Sequence, residues 1–512
     1  MKPTSKLKLK LIATVLLSGL MTGAAADPAF WSWAKTPPMG WNSWDAFGSS
    51  VKEEQVLANA DYMEKHLKAH GWNLITIDIQ WYEPTAQKDQ YRRGAVLEMD
   101  ANGRLLPAPN RFPMTKETRS FKPIADYLHA KGLKFGLHLM RGIPRQAVDT
   151  NNTAILGTSY KAADIVDKAH SCFWNRDMYG VDMSKPGAQE YYDSVFALMA
   201  SWDLDFVKVD DLAGHPPEIE AIRKALDKCG RPIVFSVSMG SPASQGEHLQ
   251  TNANMWRISF DFWDNWPALY NQFANLNNHS PYRGPGHWPD ADMLPFGHVK
   301  TWQTNTCTKF THDEQYTVMT LWSIARSPLI MGGHMPDNDE FTLSLMTNDE
   351  VVAVNQASTN NRQVFNTSNH VAWAADVAGS KDKYVALFNL SPPPPPGAGR
   401  RGRGGFGGPR VPGGPRGAEG PGGRGGFGGP PAAAPAAADM ATNNSASNAP
   451  VVLDPAATLP ARISVALGDI GLSGSCKVRD LWAHKDLGVV TDTVSATVNS
   501  HGTVLLRIEP AK

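Results

Sequence analysis

From about Pro38 to Gly333, short apolar runs alternate with amphipathic helical patterns, and this alternation limits the chain to an α/β architecture. Eight runs read as strands, near Gly40–Trp44, Ile75–Trp81, Phe135–Leu139, Asp205–Asp211, Ile233–Ser238, Met255–Ser259, His287–Met293 and Pro328–Gly332. Eight strands with helices between them over about 300 residues suit a TIM-type (β/α)8 barrel. A doubly wound open sheet is the alternative, but no Gly-rich fingerprint follows the first strand. One helix has clear bounds. Ser50 and Glu53 read as a capping box, Val56, Ala60, Met63 and Leu67 form an apolar face, and Gly71 ends it. A second helical pattern, Pro217 to Cys229, carries Ile219, Ile222 and Leu226.

After about Glu350 the pattern changes to short strands without helices, among them Tyr384–Leu390, Arg462–Leu467, Lys477–Trp482 and Val504–Ile508. This reads as an antiparallel β-domain. Between its strands lies a Pro/Gly/Arg/Ala-rich segment at about 391–450, too poor in apolar residues to offset the entropy of ordering. Disorder is expected there. At the other end, Lys2, Lys6, Lys8 and Lys10 precede an apolar run from Leu11 and the small residues Ala24, Ala25 and Ala26. That is the pattern of a signal peptide, and the run is shorter than the roughly 20 residues of a membrane span. The expected division is a signal peptide at 1–26, a catalytic barrel at 27–345, and a β-domain at 346–512 holding the insertion. Export to the periplasm or the exterior follows, with no stable membrane insertion after cleavage.

The 512 residues carry 49 basic and 49 acidic side chains, so no net field draws the chain to nucleic acid. The Arg-Gly-Gly-Phe pieces of the insertion look like RNA-binding tails, but an exported protein rarely meets RNA, and no nucleic-acid partner is expected. Cys172, Cys229, Cys307 and Cys476 are too scattered for a disulfide scaffold or a CxxC metal site. Neither metal nor cofactor is expected.

Polar residues gather on one face of the strand ends. In Phe206–Asp210, alternation puts Lys208 and Asp210 opposite Val207 and Val209. The same pattern sets Thr76, Asp78 and Gln80 opposite Ile75, Ile77 and Ile79, and His138 opposite Leu137 and Leu139. Ser236 and Ser238 share a face, as do Arg257, Ser259 and Asp261. In a barrel this polar rim is the C-terminal mouth, where active sites are built. Two carboxylates without a nucleophilic Ser or Cys motif point to glycosyl transfer to water, one attacking the anomeric carbon and one protonating the leaving oxygen. Lys208 should keep Asp210 ionised, and partial burial together with the negative charge of Asp210 should hold Asp261 protonated. Asp211 is the competing carboxylate, but alternation turns it from Lys208.

These residues lie in motifs by which the chain resembles glycoside hydrolase family 27, the α-galactosidase family of clan D. The motifs are PPMGWNSW from Pro37, IDIQW from Ile77, DFVKVDD from Asp205, WRISFDFWDNW from Trp256, WPDADML from Trp288 and SPLIMGG from Ser327. The resemblance covers nearly the whole chain outside the insertion. It implies Asp210 as nucleophile, Asp261 as acid/base, Trp44 as the aromatic floor, and Asp78, Lys208, Arg257 and Asp292 as sugar ligands. It also implies retention of anomeric configuration and no metal. His138 replaces the usual Tyr, Ser238 stands where many relatives have Glu, Ile79 replaces the second Asp of a pair, and Leu212 replaces a disulfide Cys. The expected substrate is a terminal α-D-galactoside. β-L-Arabinopyranosides, α-N-acetylgalactosaminides and α-glucan ends are alternatives, and an inactive carbohydrate-binding barrel is the reading from another class.

Overall fold

The β-branched and aromatic runs form eight parallel strands: β1 (Met39–Asn42), β2 (Leu74–Ile77), β3 (Lys134–Met140), β4 (Phe206–Asp210), β5 (Val234–Val237), β6 (Met255–Arg257), β7 (Trp288–Asp290) and β8 (Leu329–Met331). The computed structural model describes residues 27–88, 90–304, 306–393 and 459–511. The expected signal peptide and nearly all of the Pro/Gly-rich insertion therefore lie outside the described residues.

Neighbouring strands pair in chain order from β1 to β7, and β1 also pairs with β8 through Met39↔Leu329 and Trp41↔Met331. No ladder joins β7 to β8. Leu294, beyond the end of β7, bridges to Met331 and closes the seam, donating to the Ile330 carbonyl at 2.7 Å. The result is a TIM-type barrel followed by an antiparallel β-domain.

A helix follows each strand: α1 (Glu53–Tyr62), α2 (Lys122–Ala130), α3 (Ala188–Ser201), α4 (Pro216–Lys228), α5 (Gly246–Gln250), α6 (Trp266–His279), α7 (His312–Ala325) and α8 (Asp349–Ala357). The capping box of α1 is not the expected one. Val51 is extended, so the helix starts from Lys52, whose N–H donates to the Gln55 side chain at 2.9 Å. The Ser50 hydroxyl instead donates to the Phe47 carbonyl at 2.8 Å. Gly71 does end the segment, at φ 95°.

Strand alternation sorts the side chains into two layers. Ile75, Ile77, Phe135, Leu137, Val207, Val209, Phe235 and Val237 pack outward under the helices. Inside, Leu74, Phe206, Val234, Met255, Trp288 and Ile330 form a separate apolar cluster with Ala34. The Trp288 indole donates to the Ala34 carbonyl at 2.7 Å, tying the N-terminal segment to this cluster. The interior is thus filled near the strand starts, and the charged side chains are left to the opposite end.

The second domain contains β9 (Thr359–Asn366), β10 (His370–Asp376), β11 (Lys383–Asn389), β12 (Ala461–Ala466), β13 (Cys476–Asp480), β14 (Lys485–Val490), β15 (Thr493–Val498) and β16 (Thr503–Pro510). Six form one antiparallel sheet in the order β9-β10-β11-β16-β13-β14, and β12 pairs with β15. Ala372, Val385, Leu387, Ile463, Val465, Val494 and Leu506 fill the core between the two sheets. The other face of the large sheet, through Trp373, Ala386 and Phe388, joins the barrel core. All four cysteines are unpaired.

Candidate active site

Strand register brings the β2, β3 and β4 residues together. His138 is level with Lys208, and Met140 with Asp210. The Lys208 ammonium lies 3.0 Å from Asp78, which also accepts from Asn42 at 2.8 Å, from the Ile79 N–H at 2.9 Å and, at its own N–H, donates to the Ser43 hydroxyl. His138 Nε2 lies 3.0 Å from an Asp210 carboxylate oxygen. Burial disfavours the charge on Asp210, but Lys208 and the His138 hydrogen bond outweigh it and hold the carboxyl well below the usual range. The buried Ser238 hydroxyl adds to this, although it lacks a hydrogen bond of normal geometry. Asp78 is likewise lowered, with Lys208 and His138 overcoming its burial.

A second group comes from β6 and β7. The Arg257 guanidinium lies 2.7 Å from the Asp292 carboxylate and 3.3 Å from that of Asp261. β6 ends at Arg257, so Ser259 and Asp261 occupy the following loop rather than the strand. The side chain of Asp261 is 45% exposed, well above the other carboxyls of the group, and pairs with Arg257. Asp292 is the buried member, accepting from the Phe262 N–H at 2.7 Å. Burial, reinforced by Asp261 and Asp290, pushes its pKa up against the pull of Arg257.

Trp44 lies parallel to Tyr91, with ring centroids 6.3 Å apart, and Tyr91 leans on Trp174 at 5.4 Å. Burial pushes the Tyr91 hydroxyl well up, and so do Asp78, Asp210 and Asp261, so all three carboxyls lie within electrostatic reach of one ring. Sequence reasoning missed Tyr91 and Trp174 because both sit on irregular loops without periodicity.

It also missed Arg141. This buried guanidinium donates to the Asp211 carbonyl and carboxylate, each at 2.8 Å, to Glu218 at 2.7 Å and to the His170 carbonyl at 2.8 Å. Its backbone N–H donates to the Asp210 carbonyl at 3.0 Å. Asp211 is therefore engaged by Arg141, apart from the Lys208–Asp78 pair. Nine residues singled out in the sequence thus fall into one neighbourhood at the barrel mouth: Trp44, Asp78, His138, Lys208, Asp210, Ser238, Arg257, Asp261 and Asp292.

A family model described as alpha galactosidase A matches residues 36–182 and 180–357, and one described as the alpha galactosidase C-terminal beta sandwich domain matches 442–508. A charged, aromatic-lined mouth on this scaffold is that of a glycoside hydrolase. More narrowly, the chain belongs to glycoside hydrolase family 27, the α-galactosidase family. It is similar to a family 27 β-L-arabinopyranosidase from Geobacillus stearothermophilus, solved in complex with arabinose, at 44% identity and a TM-score of 0.80, covering 95% of this chain and 100% of that one. It is 29% identical to alpha-galactosidase A of Cellvibrio japonicus, over 68% of this chain and 74% of that protein. It is 26% identical to an alpha-N-acetylgalactosaminidase of Gallus gallus, over 66% and 75%.

Proposed function

We propose that the chain is a retaining exo-glycosidase that removes one terminal pyranose of galacto configuration by double displacement. The environment of Asp210 carries this reading. A buried carboxylate kept ionised by Lys208 and His138 is suited to attack an anomeric carbon. Asp261, solvent-accessible at the rim and beside Arg257, can exchange protons with water between the two half-reactions. It protonates the leaving oxygen first and activates water afterwards. Asp78, Lys208, Arg257 and Asp292 offer donors and acceptors for several hydroxyls of one sugar. Export, with action outside the cytoplasm, belongs to the same proposal and rests on the N-terminal sequence pattern alone.

For the sugar, β-L-arabinopyranoside moves ahead of the α-D-galactoside expected from sequence. The two differ only by the exocyclic CH2OH. Ile79, buried at 2% exposure, stands where the family often has a second Asp, and its side chain can give no hydrogen bond to an exocyclic hydroxyl. The 44% identity to an arabinopyranosidase favours the same choice. Initial rates on p-nitrophenyl β-L-arabinopyranoside and p-nitrophenyl α-D-galactopyranoside test it, with proton NMR following the anomer released. The arabinopyranoside is expected to give the higher kcat/KM, with retention. Faster cleavage of the galactoside returns the sugar to the first expectation, and inversion rules out double displacement.

A further inference from the structure

Asp45 follows Trp44 in the sequence and has no part in the mechanism above. Its side chain is 1% exposed, and its Oδ2 is buried without a hydrogen-bond partner. That oxygen occupies the notch left by Gly332, just past β8: a Cβ added at residue 332 would stand 2.0 Å from it. The backbone beneath is pinned. The N–H groups of Lys300 and Thr301 donate to the Asp45 and Ala46 carbonyls at 2.6 and 2.8 Å. So the main chain of this short helix, Trp44–Phe47, is anchored to the loop after β7, while the carboxyl has been given no partner.

Its surroundings are the sugar site. Asp292, Asp261, Lys208 and Asp78 all act on it electrostatically. Burial, together with the three neighbouring carboxyls, holds it well above the usual carboxylate range against the pull of Lys208. A carboxyl accepts hydrogen bonds and, when protonated, donates one as well. A buried polar group left without a partner destabilises a fold and calls for an explanation.

We propose that Asp45 is a further specificity-determining residue, whose carboxyl hydrogen-bonds a ring hydroxyl of the terminal pyranose beside Trp44. The inference rests on the reading of this mouth as a pyranose site. There the carboxyl gains its missing partner only when sugar is bound, so its contribution appears in the complex and not in the free enzyme. Gly332 is the enabling neighbour, since any side chain there would take the space of the carboxyl.

Full-length wild type, Asp45→Asn and Asp45→Ala are compared on p-nitrophenyl β-L-arabinopyranoside and its monodeoxy analogues, with melting temperature measured on each. Asp45→Ala is expected to lose at least about tenfold in kcat/KM while melting no lower than wild type, because it removes an unpaired buried group. One monodeoxy substrate should cost wild type at least about tenfold but cost Asp45→Ala less than about threefold, the mark of a hydroxyl and a side chain that act on each other. Asp45→Asn, which keeps a hydrogen-bonding group in nearly the same volume, should retain more activity than Asp45→Ala. Additive losses at every hydroxyl position overturn the proposal, as does a fall in melting temperature with kcat/KM unchanged. If wild type turns over none of the pyranosides, the reading of the mouth as a sugar site fails first. If wild type is active and both variants match it, only Asp45 is excluded.

Discussion

The guanidinium of Arg141 grips Asp211 by both its carbonyl and its carboxylate, one residue beyond the buried Asp210. Asp211 has φ 60°, a left-handed conformation that an ordinary side chain resists. The turn that follows Asp210 is thus held from outside by Arg141, which is itself fixed on Glu218, and Glu218 on the Tyr192 hydroxyl. Arg141 is a positioning residue, and Asp211 is its handle.

A pair of substitutions checks this. Asp211→Gly adopts φ 60° without strain and should keep kcat within about threefold of wild type. Arg141→Ala leaves Glu218 buried without its cation, and should cost about 3–5 kcal/mol of stability with a matching fall in denaturant midpoint. Loss of activity in Asp211→Gly comparable to that in an Asp210 variant would reassign the nucleophile.

Asp210→Asn should abolish turnover while leaving the melting temperature close to wild type. The loss should exceed about 1,000-fold, or about 4 kcal/mol of barrier. A 2-fluoro glycoside should leave a covalent sugar on Asp210, read by peptide mass spectrometry. Label on Asp211 would contradict the assignment.

Asp261→Ala should show a split by leaving group. Activated aryl glycosides need little protonation and should retain their first step, whereas sugar leaving groups should lose theirs. Brønsted plots of kcat/KM against leaving-group pKa read the difference directly. Parallel losses on both kinds of substrate would remove Asp261 from the acid role.

One stability prediction concerns pH. His279 is buried and accepts from the Trp256 indole at 3.2 Å, and burial lowers its pKa to about 4 from 6.5. The unfolded chain then binds a proton at a pH where the folded chain does not, so stability is complete above about 6.5 and falls as pH drops toward 4. Urea midpoints at pH 7.5 and 4.5 should differ less in His279→Gln than in wild type. An unchanged difference would show that other groups carry the acid sensitivity.

The eight barrel strands were readable because each is an apolar run bounded by turn residues, yet most were read too long at the C-terminal end. The reason is local. Gln80, Asp211 and Asp292 turn the chain at φ 63°, 60° and 85°, and none is a glycine that would have announced the turn. The expected sixth strand takes in Ser259, with Asp261 on its face just beyond, by the same extrapolation. In the β-domain, β9, β10, β14 and β15 are not among the strands named from sequence, and of these β9 and β14 are sheet edges that carry little alternation. The charged residues of the site could be seen because strand periodicity sets which face they share. Asp45, Tyr91, Trp174 and Arg141 could not, because each reaches the site from a loop or short turn, where spacing in sequence says nothing about direction in space.

The seam between β7 and β8 has a consequence for the order in which the enzyme comes into being during synthesis. β1 waits for β8, and Leu294 for Met331, so the first and last strands of the barrel meet only when nearly all of it has been made. A nascent chain that ends before Leu329 already holds Asp78, His138, Lys208, Asp210, Arg257, Asp261 and Asp292, but has no cylinder to hold them in one ring. A ribosome stalled there carries the full chemistry of the mouth as an unassembled kit, and no fragment short of β8 should cleave a glycoside.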